Sequence, residues 1–127
     1  MTRLMLAISD RSPKASSLVE STAELAGRLE ADWFVVHVRQ SPTLHYRMPA
    51  TEHPVPEESL SYAKRLGAQV IIEQGKVVDT LVSFARRMSI NYFVTGRSLR
   101  PRFSFTWRLP LTEIIQRRLP HTIVMIV

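Results

Sequence analysis

Short apolar runs and segments of helical periodicity alternate along the whole chain. The runs at residues 3–8, 33–38, 70–73, 92–95 and 121–127 contain few polar side chains, so we predict strands that are buried on both faces. Between them, apolar residues recur three and four positions apart, which predicts amphipathic helices. The predicted order is βαβαβαβαβ. Right-handed crossovers then give an α/β fold, a parallel sheet with helices on both of its faces.

Proline and glycine indicate where the helices begin and end. Pro13 opens the first helix and Pro110 opens the last, because proline suits the first turn of a helix. The second helix starts at residue 56 or 57 and is expected to end at Gly67. The third carries an apolar stripe over residues 78–88.

The length and composition fit one domain. A chain of 127 residues that is 45% apolar can bury one continuous core between a sheet and its helices. We therefore expect a single domain over residues 1–127. Residues 40–56 contain four prolines and little periodicity, which predicts a surface excursion.

The sequence lacks the residues that several kinds of site require. There is no cysteine, so disulfides and thiolate-bound metals are excluded. His45, His53 and His121 have neither metal-binding spacing nor acidic partners, so no metal site is expected. No catalytic triad is legible, and neither Asp10 nor Asp79 has a recognisable partner acid or base. We interpret both carboxylates as solvated and expect no enzymatic activity from this chain.

Neither export nor membrane insertion is predicted. The first eight residues lack the basic start and the cleavage site of a signal peptide. The longest apolar stretches are about half the roughly 20 residues that span a bilayer. A cytoplasmic location is the expectation.

Positive charge is concentrated in the last quarter of the chain. The net charge is +6; residues 1–96 carry 11 basic and 10 acidic groups, whereas residues 97–127 carry six arginines and one acid, Glu113. Such a cluster attracts nucleotide phosphates, nucleic acid, an anionic membrane surface or an acidic partner. Charge alone does not choose among them.

Four short motifs resemble the universal stress protein family along nearly the whole chain. They are a first strand that ends in a small polar turn, a second strand that ends in His37-Val38, the helix entry Gly75-Lys76-Val77-Val78, and a fourth strand that ends in Val94-Thr95-Gly96. The resemblance implies a Rossmann-like, five-stranded sheet of strand order 3-2-1-4-5. Ligands of such sheets bind beyond the carboxyl ends of the strands, where the strand order reverses.

The glycine loop that ATP-binding stress proteins share is absent. Gly96 matches its first glycine, but Leu99 stands at the second, and residues 98–127 contain no glycine. Glycines let backbone N–H groups cradle phosphates, so we expect ATP to bind weakly or not at all. Ser9 also replaces the acidic residue that stress proteins often carry after the first strand.

Two loops are similar to those of the stress-protein-like domain in KdpD-type potassium-sensing histidine kinases. They are the turn with Ser9 and Ser12 and the Gly-Arg-rich residues 96–102. Twenty residues separate Ser12 from Trp33, as in the members that bind cyclic di-AMP, although Trp33 and His37 replace their Phe and Tyr. The resemblance implies a regulatory domain of a membrane-anchored kinase, whose other domains would be its partners.

Candidate nucleotide contacts follow from the carboxyl ends of the strands and from this resemblance. They are Ser9, Ser12, His37, Val38, Gly96, Arg97 and Arg100. The implied ligand is an adenine nucleotide such as cyclic di-AMP, and no cofactor is required. The serines have an alternative role as caps of the helix that Pro13 opens. Trp33 shares a strand face with His37 and is expected to be buried against a helix.

The arginine-rich loop also permits a docking surface. Guanidinium groups clamp phosphates, but with aromatic neighbours they also form protein interfaces. We assign partner docking to Arg102, Trp107 and Arg108, with Phe103 and Phe105 as further apolar anchors. Aromatic residues among arginines suit single-stranded nucleic acid too, but no nucleic-acid-binding fold accompanies them, so that partner is not expected.

The last apolar run is a candidate sheet edge. Residues 123–127 have high β-propensity and no charged side chain. Stress proteins commonly dimerise through the last strand, so the resemblance implies a homodimer with two-fold antiparallel pairing. Proline at Met125 is expected to disturb that pairing. A free-standing stress protein that acts through dimerisation is the alternative to a kinase domain.

Overall fold

The computed structural model describes residues 1–8, 15–39, 57–96 and 111–127. Its strands are β1 (Arg3–Ile8), β2 (Asp32–Arg39), β3 (Gln69–Gln74), β4 (Tyr92–Thr95) and β5 (Ile123–Ile126). Its helices are α1 (Ala15–Leu29), α2 (Glu57–Arg65), α3 (Val77–Arg87) and α4 (Leu111–Arg118). The predicted order βαβαβαβαβ is confirmed. The helix starts predicted at Pro13 and Pro110 and the excursion at residues 40–56 lie outside the described residues.

The five strands form one parallel sheet in the order β3-β2-β1-β4-β5, as predicted. The central strand β1 pairs with β2 up to Ile8↔His37 and with β4 up to Ala7↔Thr95. The direction of the crossovers reverses between β1 and β4, which makes this pair the switch point of the sheet. Because all strands run the same way, their carboxyl ends meet at one side, called the carboxyl edge below; the opposite side is the amino edge.

The core consists of two apolar layers, one on each face of the sheet. Successive strand residues point to opposite faces, so Leu4 and Leu6 enter the layer beneath α1 and α2, whereas Met5 enters the layer beneath α3 and α4. Phe93 is fully buried in the α3–α4 layer. Trp33 is 7% exposed in the α1–α2 layer, which confirms its predicted burial against a helix.

Three helices end in the same way. After each of α1, α2 and α3 one residue adopts a left-handed backbone: Glu30 (φ 52°), Gly67 (φ 102°) and Ser89 (φ 52°). In α3 the Ser89 N–H donates to the Arg86 carbonyl (3.2 Å) and the Ile90 N–H to the Ala85 carbonyl (2.9 Å). This is a Schellman motif, in which glycine is the residue with least strain. Gly67 therefore ends α2 as predicted, whereas Glu30 and Ser89 hold a conformation that suits their side chains poorly.

Replacing Ser89 by glycine is expected to raise the free energy of unfolding by about 0.5–1 kcal/mol, since it relieves the left-handed strain at a modest entropic cost in the unfolded chain. The matched control is Ser83→Gly, an exposed position inside α3, where glycine should lower stability by about 0.5 kcal/mol. Urea denaturation of the three proteins measures both effects. If both substitutions raised the free energy of unfolding, or both lowered it, the assignment of a Schellman motif at Ser89 would be contradicted.

An ion pair joins α3 to α4. The Arg118 Nη1 donates to Asp79 Oδ1 (2.7 Å), and the Arg86 Nη2 donates to the Arg118 carbonyl (3.0 Å). The hydrogen bond from Arg118 lowers the pKa of the Asp79 carboxyl below its ordinary value. The pair therefore stabilises the fold above the unfolded-state pKa of that carboxyl, and its contribution is lost as the pH falls through the folded-state value. Asp79 is exposed, but it is an ion-pair partner rather than the unpaired carboxylate that its sequence context indicated.

The strand β5 forms an edge of the sheet. Among the described strands it pairs with β4 alone. Three apolar side chains on and next to it are largely exposed: Ile123 (53%), Ile126 (56%) and Val127 (42%). The apolar, uncharged edge predicted from the sequence is thus present, and the partner that would cover it stays a prediction.

Within the same described ranges, none of the helices has the length and apolar character needed to cross a bilayer.

Candidate functional site

The carboxyl edge brings together the ends of the two strands at the switch point. β1 ends at Ile8 and β4 ends at Thr95, with Gly96 directly after it. β2 contributes His37 and Val38 next to Ile8, because Ile8 and His37 are register partners. Three of the predicted nucleotide contacts, His37, Val38 and Gly96, therefore lie at one edge around β1.

The His37 ring is buried rather than open to a cleft. It is 2% exposed, and its Nδ1 lies 2.9 Å from the carbonyl oxygen of Ile8. A carbonyl oxygen only accepts hydrogen bonds, so Nδ1 must carry the proton in this contact. In the described structure the ring serves the fold at the end of β1, and a direct contact with a nucleotide stays a prediction.

Val38 points to the other face of the sheet from His37. Its half-buried side chain packs on the α3–α4 layer, and its register partner on β3 is Glu73. This follows from the two-residue period of the strand. The side chain of Val38 therefore supports the core, so a contact of Val38 at the carboxyl edge would be made by its backbone.

Gly96 lies against α1. A Cβ atom at this position would come within 2.7 Å of Leu18 Cδ1 and 2.9 Å of Leu18 Cδ2. Contacts that short do not occur between real side chains, so the glycine lets the end of β4 approach α1 closely. The backbone φ of Gly96 is not positive, so a left-handed conformation is not the reason for glycine here. The residue therefore has a packing role, in addition to the backbone-donor role that the resemblance implies.

Replacing Gly96 by alanine is expected to lower the free energy of unfolding by about 1 kcal/mol, the lower end of the range for overpacking, because the Leu18 side chain can partly yield. In a Leu18→Ala background the same substitution should cost much less, since the obstructing methyl groups are gone. Denaturation of the four proteins of this double-mutant cycle measures the coupling. An equal cost in both backgrounds would show that Leu18 is not the obstacle.

The remaining candidates lie outside the described residues. These are the nucleotide contacts Ser9, Ser12, Arg97 and Arg100 and the docking residues Arg102, Trp107 and Arg108. By sequence, Ser9 directly follows Ile8 and Arg97 directly follows Gly96. The described strands β1 and β4 both end at the switch point.

An open groove between α1 and α2 was not apparent from the sequence. It is lined by Ser16, Glu57, Glu58, Ser61, Tyr62 and Arg65. The Tyr62 hydroxyl donates to Glu20 Oε2 (2.6 Å), which together with desolvation raises the pKa of this hydroxyl. The carboxylates of Glu57 and Glu58 in its lining repel phosphate groups. The partners Tyr62 and Glu20 lie on different helices, so no local sequence pattern links them.

Metal binding has no support in the part of the chain that the structure describes. No group of three His, Cys, Asp or Glu side chains is close enough there to hold an ion.

Comparison by sequence finds no relative: no family model matches the chain, and no curated protein does. Comparison by structure finds proteins of similar fold. A universal stress protein in complex with cAMP is 19% identical, covers 99% of this chain and 96% of its own, and has a TM-score of 0.68.

Two further solved structures have a similar fold. A protein of the universal stress protein family from Burkholderia pseudomallei is 17% identical over 99% of this chain and 95% of its own, with a TM-score of 0.63. The universal stress protein from Archaeoglobus fulgidus in complex with dAMP is 18% identical over 99% and 97%, with a TM-score of 0.55. At these identities the likeness concerns the fold. The chain has the universal stress protein fold, as its sequence motifs predicted.

Proposed function

We propose that this chain is a non-catalytic regulatory domain that binds an adenine nucleotide at the carboxyl edge of its sheet. The observation that supports the proposal is the reversal of strand order between β1 and β4, next to which Ile8 and Gly96 lie. Open α/β sheets generally bind their ligands beside such a reversal. Two proteins of the same fold were solved with the adenine nucleotides cAMP and dAMP. These complexes support the choice of an adenine nucleotide for this chain.

The phosphate groups would be bound by side chains rather than by a glycine loop. Residues 98–127 contain no glycine, whereas Arg97 and Arg100 lie two and five residues after the end of β4. Guanidinium groups bind phosphate bidentately without needing a tight backbone turn. Ser9 and Ser12, which follow β1, supply hydroxyl groups. This set favours a ligand with one or two bridging phosphates, such as cyclic di-AMP, over the triphosphate of ATP.

The wider context we propose is a KdpD-type sensor histidine kinase. The similarity of the turn at Ser9 and Ser12 and of residues 96–102 to that domain supports it. Arg102, Trp107 and Arg108 would then dock on other domains of a membrane-anchored kinase, on its cytoplasmic side. A kinase core in the same reading frame is the observation that would decide this part of the proposal.

Isothermal titration calorimetry at near-physiological salt tests the nucleotide site with cyclic di-AMP, cAMP, dAMP and ATP. We expect binding of at least one of the first three and weak or no binding of ATP. Arg97→Ala should weaken binding by about 1–3 kcal/mol, the range for a lost charged hydrogen bond to phosphate. Arg108→Ala should have a smaller effect.

The matched control is Arg117→Ala. Arg117 lies on α4 and pairs with Glu113 at 3.4 Å, away from the ends of β1 and β4. Its loss should leave the affinity unchanged. A low-micromolar ATP site, or an Arg108→Ala effect larger than that of Arg97→Ala, would contradict the proposed site.

The second candidate is a free-standing stress protein that acts through dimerisation. The exposed apolar side chains of Ile123 and Ile126 on the edge strand β5 favour it. An edge strand of this kind readily pairs with a second chain. The two candidates share the fold and differ in what covers β5: a second copy of the chain, or another domain of a kinase.

A further inference from the structure

We propose that His37 is a positioning residue of the nucleotide site: by donating its Nδ1–H to the Ile8 carbonyl it fixes the point where the chain leaves β1. The inference rests on the proposed nucleotide site, because its functional effect is measured there. It differs from the sequence interpretation, in which the His37 ring itself contacts the ligand.

The geometry specifies one tautomer. The Nδ1 to oxygen distance is 2.9 Å, and both partners lie inside the protein, His37 at 2% and Ile8 at 2% exposure. A carbonyl oxygen cannot donate, so Nδ1 carries a proton in this contact, and the tautomer of a neutral ring that fits the contact has its lone pair on Nε2. Burying a polar ring costs little free energy when the ring is hydrogen-bonded in this way.

The contact lies at the carboxyl end of β1, where the strand is paired from one side. Pairing between β1 and β4 ends at Ala7↔Thr95, one residue before Ile8. On the β2 side, the pairing extends to Ile8↔His37. Within the described strands, Ile8 thus has a register partner on β2 but none on β4, and the His37 side chain bonds to its carbonyl. Ser9, the first proposed contact with the ligand, is the next residue along the chain.

The effect of this bond on binding follows from preorganisation. A chain segment held in its binding geometry loses less conformational freedom when the ligand arrives, so affinity depends on the group that holds it. The Ile8 carbonyl belongs to the last residue of β1, and Ser9 follows it in the sequence. Loss of the bond should therefore lower affinity without any direct contact between the His37 ring and the nucleotide being required.

Asparagine and leucine at position 37 separate the hydrogen bond from the volume of the ring. Asn Nδ2 lies as many bonds from the backbone as His Nδ1 and can donate to the Ile8 carbonyl. Leu has nearly the same shape as Asn but no donor. We expect His37→Leu to weaken binding of the tightest adenine nucleotide by about tenfold or more, and His37→Asn to stay within about threefold of the parent.

Thr122→Val is the control for a purely structural role. Thr122 is 8% exposed, and its Oγ1 donates to the Ile90 carbonyl at 3.1 Å, the same kind of bond at the amino edge. This variant should lower stability without changing the affinity. The proposal would be overturned if Thr122→Val lowered the nucleotide affinity as much as His37→Leu does. It would also be overturned if His37→Asn bound the nucleotide as weakly as His37→Leu.

Nitrogen-15 NMR of the imidazole keeps the inference testable if no adenine nucleotide binds. That outcome would refute the proposed function by itself. The positioning contact predicts that the neutral ring is protonated on Nδ1. It also predicts that the amide chemical shifts that change in His37→Leu are centred on Ile8 and Gly96 rather than on Asn91. An Nε2-protonated neutral ring, or changes spread equally over both edges, would show that His37 does not hold the end of β1.

Discussion

Replacing Ile126 by proline is expected to convert a dimer of this chain into a monomer that stays folded. The reason lies in which way the β5 amides point. The Ile123 N–H donates to the Asn91 carbonyl (2.9 Å) and the Val127 N–H to the Thr95 carbonyl (3.0 Å), both on the β4 side. Because these directions alternate along a strand, the amides of Val124 and Ile126 face away from β4. Proline at Ile126 removes a donor from the outer edge and leaves the ladder to β4 intact.

Sedimentation velocity of the parent and the variant at high micromolar concentration measures the change, and circular dichroism shows whether the fold is kept. Ile126→Thr is the matched control, because it keeps the outward N–H and a β-branched side chain. It should remain a dimer. A monomeric parent would rule out edge pairing and favour an edge that another domain covers.

The register also corrects the choice of Met125 for this test. By the same alternation the Met125 N–H faces β4, and its register partner is Val94. Its side chain packs on the α1–α2 layer. Proline there would break the ladder inside the sheet, so unfolding and dissociation could not be told apart.

Replacing Phe93 by alanine is expected to lower the free energy of unfolding by about 3–5 kcal/mol. Phe93 is fully buried on β4, between Met5 of β1 and Val124 of β5 in the register. The lost ring leaves a cavity that the surrounding strands cannot close, because the sheet fixes their spacing. Since domains of this size are stable by about 5–15 kcal/mol, the variant should be close to unfolding at 37 °C.

Urea denaturation of Phe93→Ala and of Ile72→Ala measures the contrast. Ile72 is a large apolar residue on β3 that is 50% exposed, so its truncation should cost below about 1 kcal/mol. A loss of less than about 2 kcal/mol for Phe93→Ala would mean that the α3–α4 layer repacks around the missing ring.

The sequence predicted the elements whose pattern is local. The run at residues 33–38 and the stripe at residues 78–88 correspond to β2 and α3, because burial on one or both faces leaves a visible period. The start of β5 was predicted two residues early. His121 and Thr122 form a turn instead, in which the Thr122 N–H donates to the Leu119 carbonyl (3.1 Å).

The contacts that define the site are not local. His37 and Ile8 are 29 residues apart, and Arg118 and Asp79 are 39 apart, so neither pair leaves a pattern in the chain. Sequence spacing placed His37 at the correct edge but could not tell a ligand contact from a hydrogen bond to the backbone. Gly96 was singled out for phosphate binding, whereas its closeness to Leu18 depends on how α1 crosses the sheet.

The two apolar layers of the core have no residue in common, since each strand side chain belongs to one face or the other. They touch through the backbone of the sheet. A change of shape in one layer therefore reaches the other only by bending strands, which is stiff, and substitutions on opposite faces should add in their effect on stability. For protein engineering, the helices α1 and α2 can be redesigned around a new ligand while α3 and α4 continue to hold the sheet.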